Sequence, residues 1–263
     1  MRLIGKGDLT SLLFIPVIGV LSWFSSRSKD ALVRCLAFAD LRLSGRKRQR
    51  SAARLHQALA DRVDRSQEGA IIEESFYEFW REPFSWKLCR DEKAQVRTAE
   101  IAGLDHLRAA LDHGKGVILW ESSVFGRRAL TKHILHANGV AVCQVHAEHH
   151  LGGLLTGTWV RERVIRPFFD KCESVSVSET VYVPRSPSLT FGRALAGRLR
   201  NNTVVCVAGD GRDGQRLFPV SFLGGTALFA TGMVSLAKAT GATILPIFCV
   251  PSPDGGARVI IEA

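Results

Sequence analysis

The clearest pattern in the chain is a short apolar run that ends in a polar turn and is followed by a helical pattern. Residues 116–128 read GVILWESSVFGRR. Four apolar residues after a Gly-Lys-Gly turn indicate a buried strand. The apolar spacing over residues 127–136 predicts a helix, which Asn138-Gly139 ends. The sequence therefore predicts a strand–turn–helix unit with Glu121 at the carboxyl end of the strand.

Similar apolar runs alternate with helical patterns through the rest of the second half. Strands are predicted over residues 140–145, 204–208 and 242–250. Helices are predicted over residues 104–113, 158–170, 189–199 and 226–240. Strands and helices that alternate at this spacing are typical of an α/β fold. We expect a single mixed, mostly parallel sheet flanked by helices.

The N-terminal part has a different pattern. Residues 11–24 are apolar and uncharged, but a spanning helix needs about 20 such residues. Three interpretations remain: a short or tilted membrane anchor, an interfacial helix, or a buried amphipathic helix. We expect a membrane anchor or interfacial helix over residues 1–30, a basic and aromatic helical region over residues 31–100, and an α/β core over residues 101–263.

The charge of the chain indicates an anionic partner. The 263 residues carry a formal net charge of +10, and 46% of them are hydrophobic, enough for a sizeable core. Six of the basic residues are Arg42, Arg46, Lys47, Arg48, Arg50 and Arg54. Beside an apolar anchor this cluster is typical of attraction to an anionic membrane surface on the cytoplasmic side. An ordinary solvated helix face is the alternative. We expect no nucleic-acid partner, because no aromatic interleaving or recognition motif is present.

Cysteine and histidine spacing does not indicate a metal site. The six cysteines are scattered without a Cys-x-x-Cys pair, which favours reduced thiols in a cytosolic setting. His146, Glu148, His149 and His150 match no fixed ligand constellation, and we interpret them as a solvated loop.

Two polar turns at the ends of predicted strands are the candidate site, since ligands bind at the carboxyl ends of strands in α/β sheets. One turn contains Glu121 and the other contains Asp210, and we interpret these two as candidate catalytic residues. The candidate substrate-binding residues are Ser122, Ser123, Arg127, Arg128 and Arg212. The alternative is that the first turn caps its helix and the second is a plain loop.

Several segments together resemble a known family. They are Gly103-Leu104-Asp105-His106-Leu107, Gly114-Lys115-Gly116-Val117-Ile118-Leu119, Val204 through Asp210, Phe218-Pro219-Val220-Ser221-Phe222-Leu223-Gly224-Gly225, Leu236-Ala237-Lys238-Ala239-Thr240-Gly241-Ala242 and Pro246. In order and spacing they resemble the late acyltransferases of lipid A biosynthesis, within the lysophospholipid acyltransferase-like superfamily. The resemblance covers residues 50–263. Family members continue with more helix past residues 258–262, so the sequence is expected to be a shortened protein or a fragment.

The resemblance implies a membrane-bound enzyme at the cytoplasmic face of an inner membrane. It would move a fatty acyl chain from acyl carrier protein or acyl-CoA, as co-substrate, to a lipid hydroxyl, with no further cofactor. The family signature is His-x4-Asp/Glu after the first sheet strand, where the His deprotonates the acceptor hydroxyl.

This sequence departs from the signature at its central position. Where the His is expected it has Glu121-Ser122-Ser123-Val124, and Arg127, Arg128 or Ala129 takes the place of the acid. Two hypotheses follow. Glu121 replaces the base or positions a substrate while Asp210 organises the site, or the chain is a catalytically inactive lipid-binding or assembly protein on the same fold.

Overall fold

A computed structural model describes residue 3 and residues 6–59, 62–121, 127–147, 158–184, 189–209, 217–252 and 256–263. The α-helices are α1 (Lys6–Leu21), α2 (Ser26–Leu43), α3 (Gly45–Leu59), α4 (Arg65–Ser85), α5 (Arg90–Thr98), α6 (Leu104–Asp112), α7 (Arg128–Ala137), α8 (Arg166–Glu173), α9 (Leu189–Arg200) and α10 (Gly232–Thr240). The strands are β1 (Ile101–Ala102), β2 (Val117–Glu121), β3 (Val142–Ala147), β4 (Glu179–Val183), β5 (Val204–Ala208), β6 (Leu217–Phe222), β7 (Gly225–Ala230), β8 (Thr243–Pro251) and β9 (Ala257–Ile261). A π-helical turn, Arg161–Ile165, leads into α8.

The core of the fold is a seven-stranded sheet in the order β1-β9-β8-β2-β5-β3-β4. Only the β8–β9 pair is antiparallel among the described pairs of this sheet, and the other five are parallel. The prediction of a mixed, mostly parallel sheet flanked by helices is therefore confirmed. β2 lies in the middle of the sheet, which explains why its sequence is almost continuously apolar.

The two faces of the sheet are covered by different helices. One face packs its side chains against α5, α6 and α7, as shown by Leu119 of β2 against Leu107 of α6 and Ile134 of α7. The other face packs against α9 and α10, as shown by Ile118 of β2 against Leu195 of α9. Alternation along β2 therefore decides which helices each side chain meets.

The N-terminal helices form a separate cluster. Ile18 of α1 is buried, and Phe14 of the same helix lies with its ring centroid 5.7 Å from those of Trp80 and Phe84 in α4. α4 begins at a capping box, in which the Asp64 carboxylate accepts from the backbone N–H groups of Ser66 and Gln67. One face of α1 thus packs on protein.

The other face of α1 presents apolar side chains to solvent, including Leu13 and Val20, and the turn after it exposes Trp23. Within the described part of the chain, no helix combines the length and the apolar character that crossing a bilayer requires. The expected N-terminal membrane segment is therefore not supported by the structure. The bounds of the three proposed regions of the chain remain predictions.

The prediction of one helix over residues 226–240 is wrong in its first half. Residues 217–230 form a separate antiparallel hairpin of β6 and β7, and α10 starts only at Gly232. Leu223 and Gly224 form its two-residue loop, both at positive φ (46° and 71°), as expected for a hairpin turn whose twist matches the strands.

Candidate active site at the carboxyl end of the sheet

Glu121 is the last residue of β2 and is only 2% exposed. The backbone N–H of Gly209, which follows β5, donates to the Glu121 carbonyl at 2.7 Å. The two polar turns predicted from the sequence therefore start side by side. Ser122, Ser123, Asp210 and Arg212 lie outside the described residues, so their assigned roles stay predictions.

Lys132 of α7 is the partner of the Glu121 carboxylate. Its ammonium donates to both carboxylate oxygens, and both side chains are buried. Burial opposes the charge of Lys132, but the attraction of Cys206 and Glu121 outweighs it, so the pKa of Lys132 is raised. Burial also raises the pKa of the Cys206 thiol to about 12. Since that thiol is neutral at physiological pH, Glu121 is the group that holds the ammonium.

Arg127 makes a second buried ion pair, with α4. Its Nε donates to the two carboxylate oxygens of Glu78 at 3.1 and 3.2 Å, and both side chains are at most 6% exposed. This pair ties the start of α7 to α4. The N-terminal helices are thereby fixed to the edge of the sheet that carries Glu121.

Arg128 makes a third, looser pair with the same helix. Its Nε lies 3.6 Å from Glu82 Oε1, which is beyond hydrogen-bond distance. Burial raises the pKa of Glu82, and Arg128 acts in the opposite direction. Arg127 and Arg128 are thus both paired with α4, and their role in substrate binding stays a prediction.

These pairs form one group of charges, which we call the α4–α7 ion cluster. It consists of Glu78, Arg81, Glu82, Glu121, Arg127, Arg128 and Lys132. Three carboxylates face four cations in it, so the cluster favours an additional negative charge nearby.

A second buried carboxylate, paired with a histidine, lies on the same side of the sheet. His146 of β3 contacts Oε1 of Glu173, the last residue of α8, through its Nε2. The His146 ring stacks on Tyr182 of β4, with centroids 6.2 Å apart. The interpretation of His146 as part of a solvated loop is therefore wrong, because β3 continues through Ala147 and buries the ring. Glu148, His149 and His150 lie outside the described residues.

His146 borders a narrow cavity between α7, β3 and α8. Its walls are Trp86, Arg128, Ala129, Lys132, His133, Gln144, His146, Cys172, Glu173, Ser176 and Val177. Lys132 belongs both to this wall and to the pair with Glu121. The cavity and the end of β2 therefore share a cationic side chain.

Gln144 contributes an unsatisfied acceptor to the cavity. It is 3% exposed, and its Nε2 donates to the Val145 carbonyl at 3.0 Å. Its Oε1 has no hydrogen-bond partner among the described residues. The sequence contains a signal for this site: Gln144 and His146 are two polar residues at alternate positions of an apolar strand, which places both on one face.

In the part of the chain that the structure describes, the metal-ligating side chains are not clustered. Over the described residues, no group of three or more His, Cys, Asp or Glu side chains is placed to hold a metal ion. All six cysteines are free.

Comparison with known proteins gives two curated relatives. Both are named phosphatidylinositol mannoside acyltransferase, from Mycobacterium tuberculosis strains ATCC 25618 / H37Rv and CDC 1551 / Oshkosh. Each is 31% identical to the chain over 190 residues, which is 67% of this chain and 52% of the relative. The chain thus spans about half the length of the curated relatives it matches. No protein-family model matches the chain.

These relatives support the acyltransferase part of the resemblance seen in the sequence. They do not support its narrower part, the lipid A branch. The chain is a distant homologue of acyltransferases whose name gives a lipid as their substrate.

Proposed function

We propose that this chain transfers a fatty acyl group from a thioester donor to a hydroxyl of a membrane lipid. The observation that carries the proposal is the 31% identity over 190 residues to phosphatidylinositol mannoside acyltransferase. The donor is acyl carrier protein or acyl-CoA. A glycosylated phosphoinositide is the first acceptor to test, since that is the acceptor class in the name of the relatives.

The site chemistry supports this reaction class. Acyl transfer develops negative charge on the thioester oxygen, and preorganised positive groups stabilise such charge. The α4–α7 ion cluster has an excess of cations at the carboxyl end of β2. Within it, Glu121 fits a positioning role better than a base role, because Lys132 engages both of its oxygens.

We place the protein at the cytoplasmic face of an inner membrane, in contact with anionic headgroups. The solvent-exposed side of α3 and its junction with α2 form an open basic groove that includes Arg46, Lys47, Arg50 and Arg54. Each such charge near an anionic surface contributes about 1 kcal/mol.

The β6–β7 hairpin adds an exposed apolar surface that contacts the same helix, α3. Its exposed side chains are Leu217, Phe218, Val220, Phe222, Leu223 and Leu228. The hairpin packs on α3, since a Cβ on Gly224 would lie 2.7 Å from the Gln57 carbonyl oxygen. Exposed apolar side chains together with a basic groove are typical of proteins that lie on a membrane surface.

The test is acyl transfer by purified protein on vesicles. Labelled long-chain acyl carrier protein and acyl-CoA are offered with phosphoinositide, mannosylated phosphoinositide and other lipid acceptors. The expected result is acylation of at least one lipid, with release of the donor thiol. Absence of transfer from either donor to any acceptor overturns the proposal.

One observation favours a second candidate, a catalytically inactive lipid-binding or assembly protein. The stretch in which the motif His is expected begins with Glu121, and both oxygens of that carboxylate are bonded to Lys132. The two candidates differ in one outcome: binding of lipid vesicles without acyl transfer supports the second.

A further inference from the structure

We propose that His146 and Glu173 form a general-base pair in this chain, which lacks the His of the family signature. We propose also that the cavity beside this pair receives the acceptor hydroxyl. This inference rests on the proposed acyl transfer. It assigns the proton-accepting step to a strand other than the one that carries the sequence motif.

The contact between the two side chains defines which nitrogen can act. Nε2 of His146 is bonded to the Glu173 carboxylate, so a neutral ring carries its hydrogen there and leaves Nδ1 as the proton acceptor. Glu173 is held in turn by Thr180, whose hydroxyl lies 3.5 Å from Oε2. A carboxylate behind an imidazole orients the ring and stabilises the imidazolium that forms.

An unpaired polar atom in the cavity wall is independent evidence for a polar ligand. A buried acceptor without a partner costs free energy, and Gln144 Oε1 is such an acceptor in the wall next to His146. A hydroxyl group supplies the missing donor. The cationic side chains of Arg128 and Lys132 in the same wall suit a substrate that also carries negative charge.

The position of His146 relative to β2 fits a shared reaction site. Gln144 of β3 pairs with Cys206 of β5, which pairs with Leu119 of β2. Two residues further along each strand, His146 and Glu121 point to the same face of the sheet, about 10 Å apart across two strand spacings. Lys132 lies between them, bonded to Glu121 and lining the cavity of His146.

The step balances without another reactant. The acceptor oxygen attacks the thioester carbonyl carbon while its proton passes to Nδ1 of His146, and Glu173 stabilises the resulting imidazolium. The tetrahedral intermediate collapses, the C–S bond breaks, and the proton moves from His146 to the leaving thiolate. The products are the lipid ester and the free donor thiol.

The alternative is a structural His–Glu pair, and acyl transfer by variants separates the two. The variants are His146→Gln and, as a matched control, His133→Gln. His133 is half-buried on the same cavity wall, and its ring bonds the backbone of Trp86. Rates are measured from pH 5 to 9 with acyl carrier protein and acyl-CoA donors, beside thermal unfolding and vesicle binding.

The charged and titratable groups that face His146 must be considered in reading the pH profile. They are Glu173 and Cys172 from α8, Tyr182 from β4, and Arg128, Lys132 and His133 from α7. Of these, His133 has a pKa that burial lowers to about 4, which is below the measured pH range. The His133→Gln variant is therefore expected to keep the rising limb of the wild-type profile.

We expect His146→Gln to lower kcat about 10²–10⁴-fold and to remove the rising limb from the remaining rate, while vesicle binding is retained. His133→Gln keeps the limb. A folded His146→Gln protein that retains both the rate and the limb overturns the role of His146 and leaves the proposed function intact. Wild-type protein that transfers nothing overturns both.

Discussion

Two buried carboxylates on one face of the sheet differ in the partner that each has. Glu121 at the end of β2 is bonded to the ammonium of Lys132, and Glu173 at the end of α8 is bonded to the imidazole of His146. The pKa of Lys132 is raised, so the first pair is a fixed ion pair. The second pair contains an imidazole, and a neutral imidazole ring has one nitrogen that donates and one that accepts a proton.

In the candidate site, the residue near the family's base position therefore differs from the residue that can accept a proton. The stretch in which the family signature has its base begins with Glu121, whose charge the surrounding ion cluster holds in place. The group with suitable proton chemistry is two strands away in the sheet. Substitutions at the two pairs and at His133 should therefore differ in their effect on stability.

Glu121→Gln should lower the free energy of unfolding more than the other substitutions. The substitution leaves the buried ammonium of Lys132 without its counter-charge, and breaking a buried pair in this way costs about 3–5 kcal/mol. The measurement is the free energy of unfolding in urea at pH 7. A loss below about 1 kcal/mol would mean that the pair is solvated and that Glu121 is not fixed.

A double variant is the control for this prediction. Glu121→Gln combined with Lys132→Met removes both charges, so it should be more stable than Glu121→Gln alone. If the double variant is no more stable than the single one, the loss comes from packing rather than from the unpaired charge.

The central sheet was predictable because its signals are local. β2 has a glycine turn before it and a polar turn after it, and both bound an apolar run. The β6–β7 hairpin was not predicted because its turn is Leu223-Gly224. Leucine is uncommon at positive φ, so this pair does not predict a hairpin turn as Asn-Gly does. Without that turn, residues 226–230 also fit the start of a helix.

The candidate site was predictable only in part, because its pairing is not local. The sequence identified Glu121 and the adjacent start of the second polar turn. Its partner Lys132 is 11 residues away, and the contact depends on how α7 lies on the sheet. Glu173 is 27 residues from His146, and their contact depends on α8 returning to β3. Alternation indicates the face of His146 but not the residue that meets it.

His133 should give an intermediate effect that depends on pH. Burial lowers its pKa from 6.5 to about 4, so the unfolded chain takes up the proton at a higher pH than the folded chain. Its contribution to stability is therefore complete above pH 6.5 and is lost as pH falls toward 4. Between pH 7 and pH 5 we expect wild-type protein to lose about 2 kcal/mol more than His133→Gln.

Urea unfolding of both proteins at pH 7, 6 and 5 measures this difference. Equal losses in the two proteins would show that His133 accepts a proton in the folded state, and it would then be a rival to His146 for proton transfer in the cavity.

Glu173→Gln should have the smallest effect, although it is the same substitution as Glu121→Gln and Glu173 is also buried. A neutral His146 donates through Nε2, and the amide oxygen of glutamine accepts that hydrogen bond, so we expect a loss of about 1 kcal/mol at pH 7. Urea unfolding beside Glu121→Gln measures it. A loss of about 3 kcal/mol or more would mean that His146 is a buried imidazolium at neutral pH, because only a charged partner left unpaired costs that much. His146 would then have no free nitrogen to accept a proton, and both carboxylates would belong to fixed ion pairs.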